Sequence, residues 1–318
     1  MNTPIQQQPT TAIDPATTVG LLSLSVADLA RSVSFYTEAI GLVALRRDSS
    51  TAILGAAGTP LLLLSEHPGA RPWPRGGASY TGLYHFALLL PERADLGRWL
   101  RHWLDLGFPL PGQGDHLVSE ALYLEDPDGN GIEIYRDRPR SEWRWANGQV
   151  RMATDPVDIR GVLADGARSG ESWVGMPAGT RLGHMHLQIG DIPQAVAFYH
   201  DVLGFDIVAR MPTALFISAG GYHHHIGLNT WHSNGASPAP VGTAGLRFFT
   251  VDLPTEEARQ AVVARLVAAG LPYTSQSNII TVMDPWRNTL LLQVGSAVEA
   301  QGGAALASVF AEARAAQR

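Results

Sequence analysis

The sequence predicts an α+β protein built from four βαβββ units, and three observations lead there. The first is a repeat at a fixed offset. "SVADLARSVSFYTEAIGL" (25–42) aligns with "QIGDIPQAVAFYHDVLGF" (188–205), pairing Asp28 with Asp191, Tyr36 with Tyr199 and Gly41 with Gly204, each 163 residues apart. "GLYHFALLLP" (82–91) and "GLRFFTVDLP" (245–254) keep the same offset, while "DPDGNGIEIY" (126–135) and "DPWRNTLLLQ" (284–293) stand 158 apart after a loop deletion. Offsets this constant mark two homologous halves. The second observation is that each half divides again: Leu21 to His85 is 64 residues, and so is His184 to Phe248. The third is the change of hydrophobic period within a unit, from two to about 3.6 and back.

In chain order, residues 1–17 are polar and rich in Pro and Thr, and read as a loose tail. The N-terminal half follows, 18–137. Leu22, Leu24 and Val26 alternate as a strand with one buried face. Asp28 then stands at a helix N-cap, "LARSVSFYTEAI" has amphipathic helical spacing, and Gly41 closes it. Short strands come next, separated by turn signals such as "AAGTP" (56–60) and "DPDGNG" (126–131). Residues 138–181 contain three Trp and are too long for a simple linker; they are expected to pack against both halves. The C-terminal half spans 182–295, and 296–318 reads as a C-terminal helix.

Composition narrows the function. The 318 residues carry 23 Lys and Arg against 29 Asp and Glu, a net charge of −6, without the basic face that nucleic acid needs. No apolar run approaches the ~20 residues of a membrane span, and the N-terminus lacks the pattern of a secretory signal. A cytoplasmic protein is expected, bound to neither membrane nor nucleic acid. With no cysteine, any metal site must use His, Asp or Glu. The glycines of "DGNG" (128–131) lack the strand–loop–helix setting of a nucleotide site and read as turn residues.

Four βαβββ units carrying "ADLARSVSFYTEAIGL" and "LEDPDGNGIEIY" resemble the vicinal oxygen chelate superfamily, over about 20–135 and 182–294. That group includes glyoxalase I, fosfomycin-resistance proteins and type I extradiol dioxygenases such as catechol 2,3-dioxygenases. The resemblance implies that units pair into half-open β-barrels around a divalent metal. Ligands come from the first strand of one unit and from the first and last strands of its partner. At those positions this chain has Leu21, His85, His184 and Phe248 on first strands, and Glu133 and Leu291 on the last strands of units two and four. Pairing one with two and three with four leaves both sites incomplete. Pairing two with three and one with four gives one complete site, His85, Glu133 and His184, and one barrel with no ligand. The crossed pairing is therefore expected. Alone, His85 on its apolar strand would read as a core histidine, and Glu133 between Ile132 and Ile134 as the partner of a buried arginine.

Two imidazoles and one carboxylate leave coordination positions open, as in non-haem Fe(II) oxygenases. The resemblance thus implies Fe(II), with Mn, Ni or Zn as alternatives. His184 and His186 share a strand face, so either could be the ligand; the family register selects His184. In "GYHHHIGLNTW" (221–231) the alternation points either His224 or both His223 and His225 inward. The resemblance selects His224 as acid/base, and Tyr123, ten residues before Glu133, as the hydroxyl beside substrate oxygen. His116 is a further candidate for the pocket wall. The expected function is extradiol cleavage by O2 of a catechol-like ring, or of a hydroquinone-like one. The alternatives are a glyoxalase-type isomerase or thiol/epoxide transferase using the metal as Lewis acid, and a non-catalytic module that sequesters a small aromatic compound. Superfamily habit implies a homodimer.

Overall fold

The computed structural model describes residues 12–73, 80–276 and 279–295. Unit one contains β1 (Thr18–Val26), α1 (Leu29–Ser34), β2 (Val43–Arg47), β3 (Thr51–Ala56) and β4 (Thr59–Glu66). Unit two contains β5 (Gly82–Leu90), α2 (Arg93–Asp105), β6 (Gly112–Asp115), β7 (Ser119–Glu125) and β8 (Gly131–Asp137). The connector supplies a short hairpin, β9 (Trp145–Ala146) and β10 (Gln149–Val150), and α3 (Ile159–Arg168). Unit three contains β11 (Arg181–Gln188), α4 (Ile192–Ala195), β12 (Asp206–Met211), β13 (Ala214–Ser218) and β14 (Ile226–Asn229). Unit four contains β15 (Gly245–Leu253), α5 (Glu256–Ala268), β16 (Tyr273–Gln276), β17 (Ile279–Met283) and β18 (Thr289–Val294).

The helix signals act locally as predicted. The Asp28 carboxylate accepts the Arg31 N–H at 2.9 Å, and Asp191 accepts that of Gln194 at 2.7 Å, so each side chain satisfies an N–H the first turn leaves open. Gly41 ends the first helix in the left-handed region, φ +92°. The second half of each helix departs from expectation: Phe35–Ile40 and Val196–Val202 wind as π-helix. Each π turn carries a fully buried Tyr. The Tyr36 hydroxyl donates to Asp126 at 2.8 Å, and that of Tyr199 to Asp284 at 2.9 Å. Asp126 and Asp284 open the "DPDGN" and "DPWRN" turns, so the two units of each half are tied helix to turn.

Strand pairing follows the other partition. One sheet runs β16-β17-β18-β15-β1-β4-β3-β2 and joins units four and one. The second runs β12-β13-β14-β11-β5-β8-β7-β6 and joins units three and two. The seams are antiparallel, β1 on β15 and β11 on β5, and their registers are equivalent. Ser23 faces Phe248 as His186 faces His85, each residue displaced by the repeat offset. Each sheet curls into a half-barrel. The fold is thus the crossed pairing that the distribution of ligand-type residues required.

The barrel of units one and four is filled. Leu21, Phe248 and Leu291 stand where His184, His85 and Glu133 stand in its sister, and pack with Ile53, Leu63 and Ile279 as a separate apolar cluster. The connector touches both halves. Gly97 of α2 and Gly166 of α3 cross so closely that a Cβ on Gly97 would lie 2.1 Å from the Val162 carbonyl oxygen. On the other side Gln149 accepts the Arg210 N–H at 3.2 Å. The tail is shorter than expected. Ile13 is buried and donates its N–H to the Gly204 carbonyl at 2.7 Å, and Thr17 is buried too, so 13–17 belong to the packed body. The C-terminal helix expected at 296–318 lies outside the described residues. Among the described residues no helix is long and apolar enough to cross a membrane.

Candidate metal centre and substrate cavity

The second barrel places its polar residues by register. His184 on β11 lies opposite Ala87 on β5, Ala87 beside Glu133 on β8, and Glu133 opposite Tyr123 on β7. These four form one row across the sheet on one face. His85 lies two residues from Ala87 and shares that face. The methyl of Ala87 leaves the space above it clear, so the side chains on either side can meet. His184 Nε2 donates to Glu133 Oε2 at 3.0 Å. His85 Nε2 also lies 3.0 Å from that oxygen, without hydrogen-bond alignment. One ligand atom from each of the three residues lies within 4.8 Å of the others, and all three are buried.

A divalent cation fits these residues. Two buried ring nitrogens, His85 Nε2 and His184 Nδ1, have no hydrogen-bond partner, and two imidazoles converge on a single carboxylate oxygen. Buried polar atoms are seldom left so. Burial pushes the His85 imidazole below its ordinary pKa against the pull of Glu133, so the ring is neutral and its nitrogen lone pair can ligate. Burial also opposes the Glu133 charge, but the two imidazoles outweigh it and hold the carboxyl well below its usual range. The set is two imidazoles and one carboxylate.

The two barrels differ at positions that the registers match. Leu63 and Ile279 of the filled barrel correspond to Gly227 and Ala121 here, since Ser23↔Leu63 matches His186↔Gly227 and Thr281↔Leu291 matches Tyr123↔Glu133. Gly227 makes room for the His186 ring, which a Cβ there would meet at 3.0 Å, and the barrel holds a cavity of about 790 Å³. His85 and Glu133 line its inner end, and Met211 and Trp231, each nearly half exposed, line its mouth.

The remaining histidines separate by their partners. His186 points the same way as His184, but its Nε2 accepts from the Asn229 amide at 3.0 Å, and its ring packs on His85. Its lone pair is occupied, which leaves His184 in the cluster. His224 lines the cavity with its ring centroid 4.1 Å from that of His184. Behind it, His223 Nδ1 lies 2.9 Å from His224 Nδ1, and His223 Nε2 lies 2.8 Å from Asp137 Oδ1. His225 turns away and accepts the Ala219 N–H at 3.1 Å. Burial, then the neighbouring His184 and His223, lower the His224 pKa well below the ordinary value.

Tyr123 also lines the cavity, with its hydroxyl 2.6 Å from His116 Nε2. His116 Nδ1 lies 2.6 Å from the Ala153 carbonyl, which can only accept. In the neutral ring Nε2 is therefore the acceptor and Tyr123 the donor. Burial first, and the Glu133 carboxylate second, raise the Tyr123 pKa well above its ordinary value, so the hydroxyl keeps its proton.

This arrangement, two barrels from four βαβββ units with a His/Glu/His cluster in one, matches a known family. The sequence profile of the Glyoxalase/Bleomycin resistance protein/Dioxygenase superfamily matches residues 18–134 and 181–289. The chain belongs to this superfamily. It is 46% identical over 279 residues to the catechol-2,3-dioxygenase of Bacillus subtilis strain 168, covering 86% of this chain and 96% of that protein. Two solved structures share the fold. A Bacillus subtilis protein superposes with a TM-score of 0.56 at 14% identity, over 91% of this chain and 86% of the other. Glyoxalase I from Zea mays superposes with a TM-score of 0.50 at 17% identity, over 87% and 92%.

As a superfamily member the chain has further residues at its site that sequence reasoning passed over. His116 was weighed for the wall but not as the partner of Tyr123, and Asp137, His223 and Asn229 were not assigned partners. Asp137 ends β8 four residues after Glu133, two strand repeats along the same face, and that spacing was the available signal. The partnership of His116 depends on the turn after β6, where Leu117 has φ +66°, and no periodicity announces it.

Proposed function

We propose that this chain is an Fe(II)-dependent extradiol dioxygenase that cleaves a catechol-like ring with O2. The observation that carries the reading is the buried His85/Glu133/His184 cluster at the inner end of an aromatic-lined cavity, with a further histidine, His224, beside it. The 46% identical relative named catechol-2,3-dioxygenase supports it. His85, Glu133 and His184 would hold the metal on one side and leave the cavity side for ligands. Iron bound there supplies the one-electron chemistry by which O2 reacts with a closed-shell diol.

The protein's own part is orientation and proton handling. Asp137 accepts from His223 Nε2–H; where that is the ring's one proton, His223 Nδ1 accepts from His224 Nδ1–H. That fixes the tautomer in which His224 Nε2 carries a lone pair, ready to take a proton from a diol hydroxyl. Tyr123, anchored on His116, keeps its hydroxyl oxygen at the same wall. Phe216 and Trp231 flank the volume in which the ring would lie, and closing this volume around substrate displaces water from the reacting oxygens.

The test is anaerobic reconstitution with Fe(II), followed by catechol and air. A yellow ring-fission product with stoichiometric O2 uptake is expected. Tight Ni or Zn binding with no turnover of any catechol tried would overturn the reading in favour of Lewis-acid chemistry. His224→Gln is expected to retain iron and to lower kcat by about 10²–10⁴-fold, the range for a general acid or base. Unchanged single-turnover kinetics in that variant would remove His224 from the mechanism.

A further inference from the structure

A second cleft lies outside the barrels, on the connector. It measures about 580 Å³, and its wall includes Leu117, Arg138, Glu142, Trp143, Arg144 and Arg151. The local sequence sets its shape. In "RWANGQVR" (144–151) the turn residues Asn147 and Gly148 both have positive φ, +53° and +75°, as a tight two-residue hairpin turn requires. That turn fixes the register: Ala146 faces Gln149, and Trp145 faces Val150. One step further the Arg151 N–H donates to the Arg144 carbonyl at 2.8 Å, so the two arginines stand directly opposite each other. Opposite residues of an antiparallel pair send their side chains out on the same face.

Charge gives the reason to expect a ligand. Like charges directly opposite each other destabilise a strand pair. Here the two are exposed arginines, and among the described residues neither guanidinium has an ion-pair or hydrogen-bond partner. Arg138 is already engaged, 2.6 Å from Asp115 Oδ2. Glu142, the acidic residue on the wall, forms no ion pair with any of the three. The cleft therefore carries two uncompensated guanidinium groups against one carboxylate, in a chain whose net charge is −6.

That excess of one positive charge selects among anions. A single carboxylate balances it. A phosphate group, near −2 at neutral pH, would leave a negative charge beside Glu142. Guanidinium forks match the two oxygens of a carboxylate bidentately. Leu117, 39% exposed, and the edge of the buried Trp143 indole add a small apolar surface next to them.

We infer that Arg144 and Arg151, with Leu117 and Trp143, form a binding site for a small aromatic carboxylate, separate from the metal cluster. The carboxylate sits across the two guanidinium groups and the ring lies on Leu117 and the indole edge. The site shares a wall with the barrel cavity. Leu117 and Arg151 adjoin His116 and Met152, which line that cavity, and the Trp143 ring centroid is 5.2 Å from that of His223.

Benzoate, acetate and inorganic phosphate are titrated by calorimetry, at one ionic strength, into the iron-loaded protein and into its Glu133→Gln variant, whose metal centre is disabled. Benzoate is expected to bind at one site common to both proteins. It should bind there at least ~5-fold tighter than acetate, for the ring it buries, and at least ~10-fold tighter than phosphate. Arg144→Gln combined with Arg151→Gln, both at exposed positions, is expected to weaken that site at least ~10-fold. The same pair should abolish the rise in thermal midpoint that benzoate gives the parent. Without benzoate it should raise the midpoint, because the like-charge pair is gone. Benzoate binding that the double variant leaves unchanged overturns the inference, as does phosphate binding as tightly as benzoate. Binding confined to the iron-loaded protein places the anion on the metal and overturns it too.

Discussion

The Glu133→Gln variant is expected to retain less than about a tenth of the iron of the parent protein and to lose at least ~10³-fold in ring-cleaving turnover, since a metal centre supplies several kcal/mol of the barrier reduction. The reasoning is electrostatic before it is geometric. Gln keeps the shape of Glu, and its amide oxygen can still accept from His184. What goes is the single negative charge facing a divalent cation in a buried cluster whose other two members are imidazoles. The His184 and His85 imidazoles hold Glu133 ionised against its burial, so the charge removed is a full one. The fold should tolerate the change, because Glu133 lies on a central strand between Ile132 and Ile134, which keep their packing. Iron content by elemental analysis and O2 uptake on the same sample check it. Stoichiometric iron in the variant would place the metal elsewhere.

How much of this site could be read from the sequence depends on what positions each residue. His85, Glu133 and His184 sit at the same register in every unit, so an offset of 163 or 158 carried them onto Phe248, Leu291 and Leu21 and exposed the partition. The β-ladder carries register from strand to strand, and a two-residue period decides which face a side chain takes. His184 and His186 share a face, however, and periodicity could not choose between them; Asn229, reaching across from β14, occupies the His186 nitrogen. The three consecutive histidines posed the same problem. The partner that orders them, Asp137, lies 86 residues away from His223. Hydrogen bonds between residues so distant in sequence leave no local trace. The contrast of Gly227 and Ala121 with Leu63 and Ile279 is in the chain, but it is visible only once the strands are paired. The π turns at Tyr36 and Tyr199 were hidden likewise, since the aspartates that receive their hydroxyls lie on loops of the next unit.

The filled barrel offers a control that the chain carries within itself. Transplanting its three residues into the hollow one, His85→Phe, Glu133→Leu and His184→Leu together, is expected to abolish metal binding and turnover while raising the stability of the metal-free protein. The gain should be on the order of 1–4 kcal/mol, as for other buried charged sets replaced by apolar groups of similar volume. The substitution removes a buried carboxylate and two ring nitrogens that have no hydrogen-bond partner, His85 Nε2 and His184 Nδ1. It supplies side chains that the matching registers already accommodate at Phe248, Leu291 and Leu21. The cavity beside the cluster persists and limits the gain. Denaturant unfolding of both proteins with metal removed measures the difference. The metal-loaded parent is the wrong reference, because bound ion stabilises the native state by mass action. A loss of more than ~2 kcal/mol would mean that the cavity left beside the cluster costs more than three apolar side chains can offset. A gain would show that the His/Glu/His set is maintained against stability, as expected of residues kept for binding and chemistry.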